Sequence, residues 1–328
     1  MIPFLASIPS PSRNVIEVGP LTIHFYGIMI AVGVVVAVIV AKRRYERFGG
    51  SGEMVERASI WAVAIGFLGA RLGYVSTHTG DFVDRPWAML YIWEGGLALY
   101  GGLIAGTVAA VVVLRRSRGD VFAFGDAVAV GLPLAQAIGR LGNYFNQELF
   151  GTPSTLPWAV EIDANIAAAA GYPGYETFHP TFLYEALWNI LITAGVILLL
   201  ERRGKLFKGS SIALYMVLYG TGRFLMELMR TDTTFRFLGL SRNGWVSIGA
   251  VLFGAVLFWW MQQRREVRTL VGPPVFIAPG AMTVAAMPDL DEAGTDAVAA
   301  DMDSVDDTAV DAAIDAVDDE QSEAPPPS

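Results

Sequence analysis

Seven apolar stretches of about twenty residues, separated by short clusters of Lys and Arg, dominate this 328-residue chain. A run of ~20 apolar residues crosses a hydrocarbon core of roughly 30 Å as a helix. In lipid the helix satisfies every backbone group within the segment, which makes it the natural spanning element. The spans fall near residues 20–41, 58–77, 96–114, 121–141, 181–200, 209–229 and 245–261, the third and fourth interrupted by glycines, Pro133 and Asp126. The pattern predicts an all-α integral membrane protein, a seven-transmembrane-helix bundle.

The basic residues give the spans a direction. Fifteen of them lie in alternate connections: Lys42, Arg43, Arg44, Arg47 and Arg57; Arg115, Arg116 and Arg118; Arg202, Arg203, Lys205 and Lys208; Arg264, Arg265 and Arg268. The opposite connections hold only Arg13, Arg85, Arg230, Arg236 and Arg242. Under the positive-inside rule this places the N-terminus outside, the C-terminus in the cytoplasm, and an odd number of spans between them. Residues 2–19 carry prolines and charges and lack the apolar core of a cleavable signal peptide, so the first span is expected to direct insertion. The segment from about Glu148 to Pro180 is the one long outer connection, and it predicts a small extracytoplasmic head over 142–180.

Net charge is informative only once divided. The formal value is −9, yet Met287–Ser328 holds fourteen Asp or Glu and no Lys or Arg, leaving the body at +5. That tail, with its Asp/Ala-rich sequence and terminal prolines, cannot bury a core and is expected to be a disordered acidic cytoplasmic segment over 269–328, beyond a membrane domain of 1–268. The absence of Cys excludes a thiolate nucleophile, a Cys-zinc site and an internal disulfide. No phosphate-binding loop, dinucleotide fingerprint or feature pointing to nucleic acid is present.

Ionisable groups inside spans are costly and tend to mark sites. On the topology above they gather near the outer face: His24 and Tyr26 open the first span, Arg71, Tyr74 and His78 lie late in the second, and Arg140 and Asn143 end the fourth. His179, Tyr184 and Glu185 open the fifth, while Tyr219, Arg223, Glu227 and Arg230 form one stripe on the sixth at helical spacing. The inner halves read as aliphatic. Each group has a structural alternative: Arg223 and Glu227 as a self-neutralising i, i+4 pair, Arg71 as a snorkelling side chain, Tyr26, Tyr74 and His78 as interface anchors. Collected on one side, however, several guanidinium groups at headgroup level suit a phosphate, which Arg holds bidentately. A transporter would need polar groups near the midplane and an exit to both sides. An intramembrane protease would need a Ser/His or paired-Asp constellation, and none stands out.

The densest polar run is Gly139-Arg140-Leu141-Gly142-Asn143-Tyr144-Phe145-Asn146-Gln147-Glu148. With His179-Pro180-Thr181-Phe182-Leu183-Tyr184-Glu185, Tyr219-Gly220-Thr221-Gly222-Arg223-Phe224, His24-Phe25-Tyr26-Gly27, Gly69-Ala70-Arg71-Leu72-Gly73-Tyr74 and Gly101-Gly102-Leu103, it resembles the prolipoprotein diacylglyceryl transferases of bacterial plasma membranes. The resemblance covers about residues 18–265 in the family's order. It implies a seven-helix bundle with a periplasm-facing head, and transfer of the diacylglyceryl group of phosphatidylglycerol to the lipobox cysteine of a preprolipoprotein, with release of glycerol phosphate. No metal or organic cofactor is implied.

Two departures stand out: Tyr100 occupies the place of the family's common His before Gly101-Gly102-Leu103, and Tyr144 that of a common Phe. The expected catalytic set is Arg140 and Arg223 as a phosphate clamp, with Tyr26, Tyr100 and Glu148. The expected substrate-binding set is Arg71, Arg140, Asn143, Asn146, Glu148, His179, Tyr184, Glu185, Tyr219, Glu227 and Arg230. The base stays open among Tyr100, Glu148 and direct thiolate formation in a positive pocket, and His179, before Pro180, is equally readable as a capping residue.

Overall fold

The computed structural model describes residues 7–11, 13–19, 21–91, 94–229, 236–268 and 270–271. Of the expected tail, all but residues 270 and 271 lies outside the described residues, as does Arg230. The described chain is helical, with three two-stranded antiparallel ribbons. A β1–β2 hairpin (Val15–Val18 with Leu21–His24) leads into α1 (Phe25–Arg47) and α2 (Gly52–Thr77). Then come α3 (Leu99–Arg116) and α4 (Val121–Asn146), followed by the short elements β3 (Val160–Glu161), α5 (Ala164–Ala169) and β4 (Thr177–Phe178). The fifth span is composite: α6 (Thr181–Leu187), a π-helical turn (Trp188–Ala194) and α7 (Gly195–Arg202). Helix α8 (Ser210–Met229), the β5–β6 ribbon (Arg236–Phe237 with Leu240–Ser241) and α9 (Arg242–Arg264) complete it.

Among the described residues seven helical segments are long and apolar enough to cross a membrane, and they coincide with the seven apolar runs. Most of their side chains are not buried within the protein: only 11% of the apolar window of α1 is, against 44% for α4. Helix α4 is therefore central. It packs along α1 and also meets α6, the π-helical turn and α8, while α2 pairs with α3 and α8 with α9.

Lipid tails are as apolar as Leu, so such pairs form through close packing of small residues. On α2 and α3 a Cβ added to Gly69 would stand 2.7 Å from the Gly101 carbonyl oxygen, and one on Gly101 would collide with the carbonyl of Gly69. Gly142 lets α4 approach α1, since a Cβ there would lie 2.7 Å from Cδ2 of Tyr26. The glycines of these motifs thus serve helix contact.

Two ends follow from the antiparallel path. At the head end, residues 147–180 build a small lobe over a core of Val160, Ile162, Ala167, Phe178 and Phe182, joined by the bridge between Ile8 and Val160. The opposite, basic end corrects the reading of the inner halves as aliphatic. Asp126 is fully buried there and accepts from the amides of Gly209 (2.7 Å) and Ser211 (2.9 Å), capping the start of α8. Arg268 donates to the same carboxylate at 2.7 Å, and Arg44 holds Glu201 through two bonds of 3.0 and 2.8 Å. Arg44 and Arg268, counted by sequence among the charges that set orientation, are members of a buried ion cluster.

Candidate active site

The polar groups of the head end form a continuous chain of contacts across four helices. It begins at the C-terminus of α4, where Gln147 takes a left-handed conformation that ends the helix and Glu148 turns back. Oε1 of Glu148 accepts from the amides of Asn143 (2.7 Å) and Asn146 (3.3 Å). The other end of the Asn143 amide accepts from Nη1 of Arg140 at 3.1 Å. The Nη2 of Arg140 pairs with Oε2 of Glu185, and the second oxygen of Glu185 accepts from Nη1 of Arg223 at 3.0 Å. Arg223 then faces Glu227 one turn along α8, with Nη2 3.0 Å from Oε2, and Ser241 donates to the other oxygen of Glu227. Ser241 also caps α9, accepting from the amide of Gly244 at 3.0 Å.

This arrangement makes Glu185 the bridge between two guanidinium groups on different helices. It is buried, and so is Glu227. Their carboxylates set the spacing of Arg140 and Arg223. A guanidinium carries five N–H donors in a planar fork, so the protein partners use only part of each one's capacity. Both guanidinium groups lie on one carboxylate and are largely shielded, their side chains only 18% and 15% exposed.

Tyr219 adjoins the pair, and Tyr100 lies near Tyr219. Tyr219, one turn before Arg223, lies within electrostatic reach of Arg140, Glu185, Arg223 and Tyr100. Tyr100, at the second position of α3, donates its hydroxyl to Oδ1 of Asn243 in the first turn of α9 at 3.0 Å. Asn243 was not among the sequence candidates: an amide two residues after a capping Ser reads as part of a helix start. Tyr26, 37% exposed, packs its ring against Gly142.

Several candidates sit elsewhere. Arg71 is buried on α2 and donates to the carbonyls of Ala88, Met89 (2.8 Å), Gly95 (2.6 Å) and Gly96 (3.1 Å), so its guanidinium organises the connection between α2 and α3. It also lies 5.4 Å from the Phe82 ring centroid. Tyr74 and His78 stack on each other at 4.1 Å beside it. His179 closes the head lobe and Tyr184 stands on α6 beneath it: Tyr184 accepts from the indole of Trp158 at 2.9 Å and lies 3.2 Å from Nδ1 of His179. The structure therefore brings together Arg140, Asn143, Asn146, Glu148, Glu185, Tyr219, Arg223 and Glu227. It places Arg71, His179 and Tyr184 in other contacts, the first in the α2–α3 connection and the other two with each other. Among the described residues no group of three His, Cys, Asp or Glu side chains is arranged to hold a metal ion.

Comparison with known proteins fits this geometry. Residues 13–260 match the family model described as prolipoprotein diacylglyceryl transferase. A protein of Streptomyces coelicolor named phosphatidylglycerol–prolipoprotein diacylglyceryl transferase 2 is 45% identical over 255 residues, 77% of this chain and 80% of that one. One of Leifsonia xyli subsp. xyli bearing the same name without a number is 40% identical over 311 residues, 90% of this chain and 92% of its own. A Frankia casuarinae relative, also so named, is 44% identical over 256 residues; the match covers 77% of this chain and 61% of the Frankia protein's length.

Proposed function

Since this chain belongs to the prolipoprotein diacylglyceryl transferase family, we propose that it transfers the diacylglyceryl group of phosphatidylglycerol to the lipobox cysteine of preprolipoproteins. The observation that carries the reading is the pair of guanidinium groups, Arg140 and Arg223, on one buried carboxylate at the head end of a multi-pass bundle. The head end faces the outer side of a bacterial plasma membrane in this reading, as the charge of the connections supports, and the lipid enters from the outer leaflet.

The chemistry then follows from charge. The lipobox thiol gives its proton to water at the head face; its sulfur forms a bond to the terminal glyceryl carbon. The carbon–oxygen bond to phosphate breaks, and its electron pair leaves on the phosphate as glycerol phosphate. Negative charge moves from sulfur to the departing phosphate, so what the step needs is a fixed cationic environment around that phosphate. Arg140 and Arg223 supply it without reorganising, because Glu185, Glu227 and Asn143 already hold them. Asn146 and Glu148 keep Asn143 in place, and this reading assigns Tyr100, held by Asn243, and Tyr26 to the lining of the reaction chamber.

The test uses membranes containing phosphatidylglycerol and a lipobox peptide. Arg140→Ala and Arg223→Ala should each suppress thioether formation while insertion continues. Near-normal rates in both variants would remove the clamp from the mechanism.

A further inference from the structure

The arginine pair and the carboxylate it shares stand on three helices, and each helix has a weakened stretch just beneath its charged residue. In α4, Pro133 lies two turns before Arg140 and offers no amide to the helical ladder. In the fifth span the π-helical turn Trp188–Ala194 begins three residues after Glu185. In α8, Gly220 and Gly222 precede Arg223, and two carbonyls there accept from side chains: Val217 from the Thr221 hydroxyl at 2.8 Å, Leu218 from the Trp188 indole at 2.9 Å. The head-ward pieces of these helices are therefore held less by their own backbone than regular spans would be. Their spacing depends on ties between the helices.

Two such ties lie one turn deeper than the ions. Nε2 of Gln136, one turn before Arg140 on α4, donates to the Tyr215 hydroxyl on α8 at 2.9 Å. Trp188 joins the fifth span to α8 through the Leu218 carbonyl, and Gly222 leaves room for its ring, which a Cβ would strike. Together they repeat in neutral form the connection that Glu185 makes by charge among α4, α6 and α8. Tyr215 carries the tie toward the site, its ring stacked at 5.5 Å on that of Tyr219, one turn before Arg223. Stability does not explain the Gln136–Tyr215 bond. Oε1 of Gln136 is buried without a hydrogen-bond partner among the described residues, a cost that an apolar side chain would not carry. Hydrogen bonds between spans contribute only modestly to holding them together. A polar pair does, however, fix a geometry that apolar contacts leave loose.

We propose that Gln136 is a positioning residue: through Tyr215 it holds α4 at a fixed distance from α8, and so keeps Arg140 in register with Arg223 while their donors pass from carboxylate to phosphate. The proposal rests on the lipid-transfer reading above. A phosphate entering the site competes with Glu185 for both guanidinium groups, so the ionic tie weakens when the spacing of the arginines matters most. The Gln136–Tyr215 tie is insensitive to that exchange, because neither group is charged.

The experiment uses purified full-length protein with phosphatidylglycerol and a lipobox peptide, and compares Gln136→Met, Tyr215→Phe and the double variant. Each single change removes the hydrogen bond while nearly conserving volume. Per folded protein, each should lower kcat about 10- to 100-fold, the scale of a misplacement of about 1 Å, with KM for the peptide within about twofold of wild type. The singles should also lower Tm, because each leaves one polar group unpaired. The double variant leaves neither, so its Tm should return toward wild type while its kcat stays as low as that of the singles. A double variant that recovered rate together with Tm would overturn the proposal and mark a packing role. So would near-normal kcat in both singles, or losses that multiplied in the double variant. If a single variant failed to fold, the double variant would decide by its kcat alone. Wild-type protein that transferred nothing would sink the transferase reading, and this proposal with it.

Discussion

Glu185 shares its two carboxylate oxygens between Arg140 and Arg223. Removing one guanidinium leaves Glu185 with surplus charge and, in the proposed clamp, deprives the phosphate of half its donors. Arg140→Ala or Arg223→Ala should therefore lower kcat about 10²–10³-fold, the loss typical of one preorganised donor at a developing anion, as read by thioether formation per inserted protein. Tyr100 and Asn243 make a second residue-level test. Tyr100→Phe and Asn243→Leu each delete the same 3.0 Å hydrogen bond, so their effects on kcat should overlap in the double variant rather than multiply. Multiplicative effects would mean that the two act separately. The stripe of Tyr219, Arg223 and Glu227 was legible because i, i+4 neighbours lie on one helix. The partner of Arg140 was not legible: Glu185 lies 45 positions away, and only tertiary packing chooses which carboxylate meets which arginine. Arg71 shows the reverse. Its place late in the second span was readable, but backbone carbonyls of the following connection take up its donors.

At the scale of elements, the seven spans followed from hydropathy, since length and apolar content decide what can cross a bilayer. The π-helical turn did not, because nothing in Trp188–Ala194 breaks helical composition. Asp126 looked like an interruption of the fourth span and is instead the cap that starts α8. Asp126→Ala should destabilise the protein by about 3–5 kcal/mol, the usual loss when one partner of a buried pair is deleted, because Arg268 and two amides lose their acceptor. Thermal unfolding in detergent reads this, and an unchanged Tm would contradict the role.

Nearby, Asp120 caps α4 through the amides of Phe122 and Ala123 and pairs with Lys208 at 3.0 Å. Partial burial raises its pKa, but the amide bonds and Lys208 together outweigh that and hold it below the ordinary carboxylate value. Its stabilising contribution is thus complete above the unfolded value of ~3.9 and fades as pH falls through the lower folded value. Comparing wild type with Asp120→Asn, the stability gap should shrink only in that acidic range. A gap that shrank instead near neutral pH would point to another group.

For the whole molecule, the division of charge is the informative feature. The arginines at the site and the basic residues that mark the opposite end are separated by the length of the helices. Because the chain has no Cys, single cysteines introduced on that background report sidedness cleanly. Tyr175→Cys, in the head, should react with an impermeant maleimide on intact cells, and Arg118→Cys only after permeabilisation. The reverse pattern would invert the proposed orientation and place the arginine pair on the cytoplasmic side.

The most direct measurement is mass spectrometry of a lipobox peptide incubated with purified protein and phosphatidylglycerol as the sole phospholipid. Its cysteine should gain the mass of one diacylglyceryl group with stoichiometric release of glycerol phosphate, and Arg140→Ala protein should give both about 10²–10³-fold more slowly. An unmodified cysteine with folded wild-type protein, or a modified one with Arg140→Ala protein at full rate, would contradict phosphate-clamped diacylglyceryl transfer.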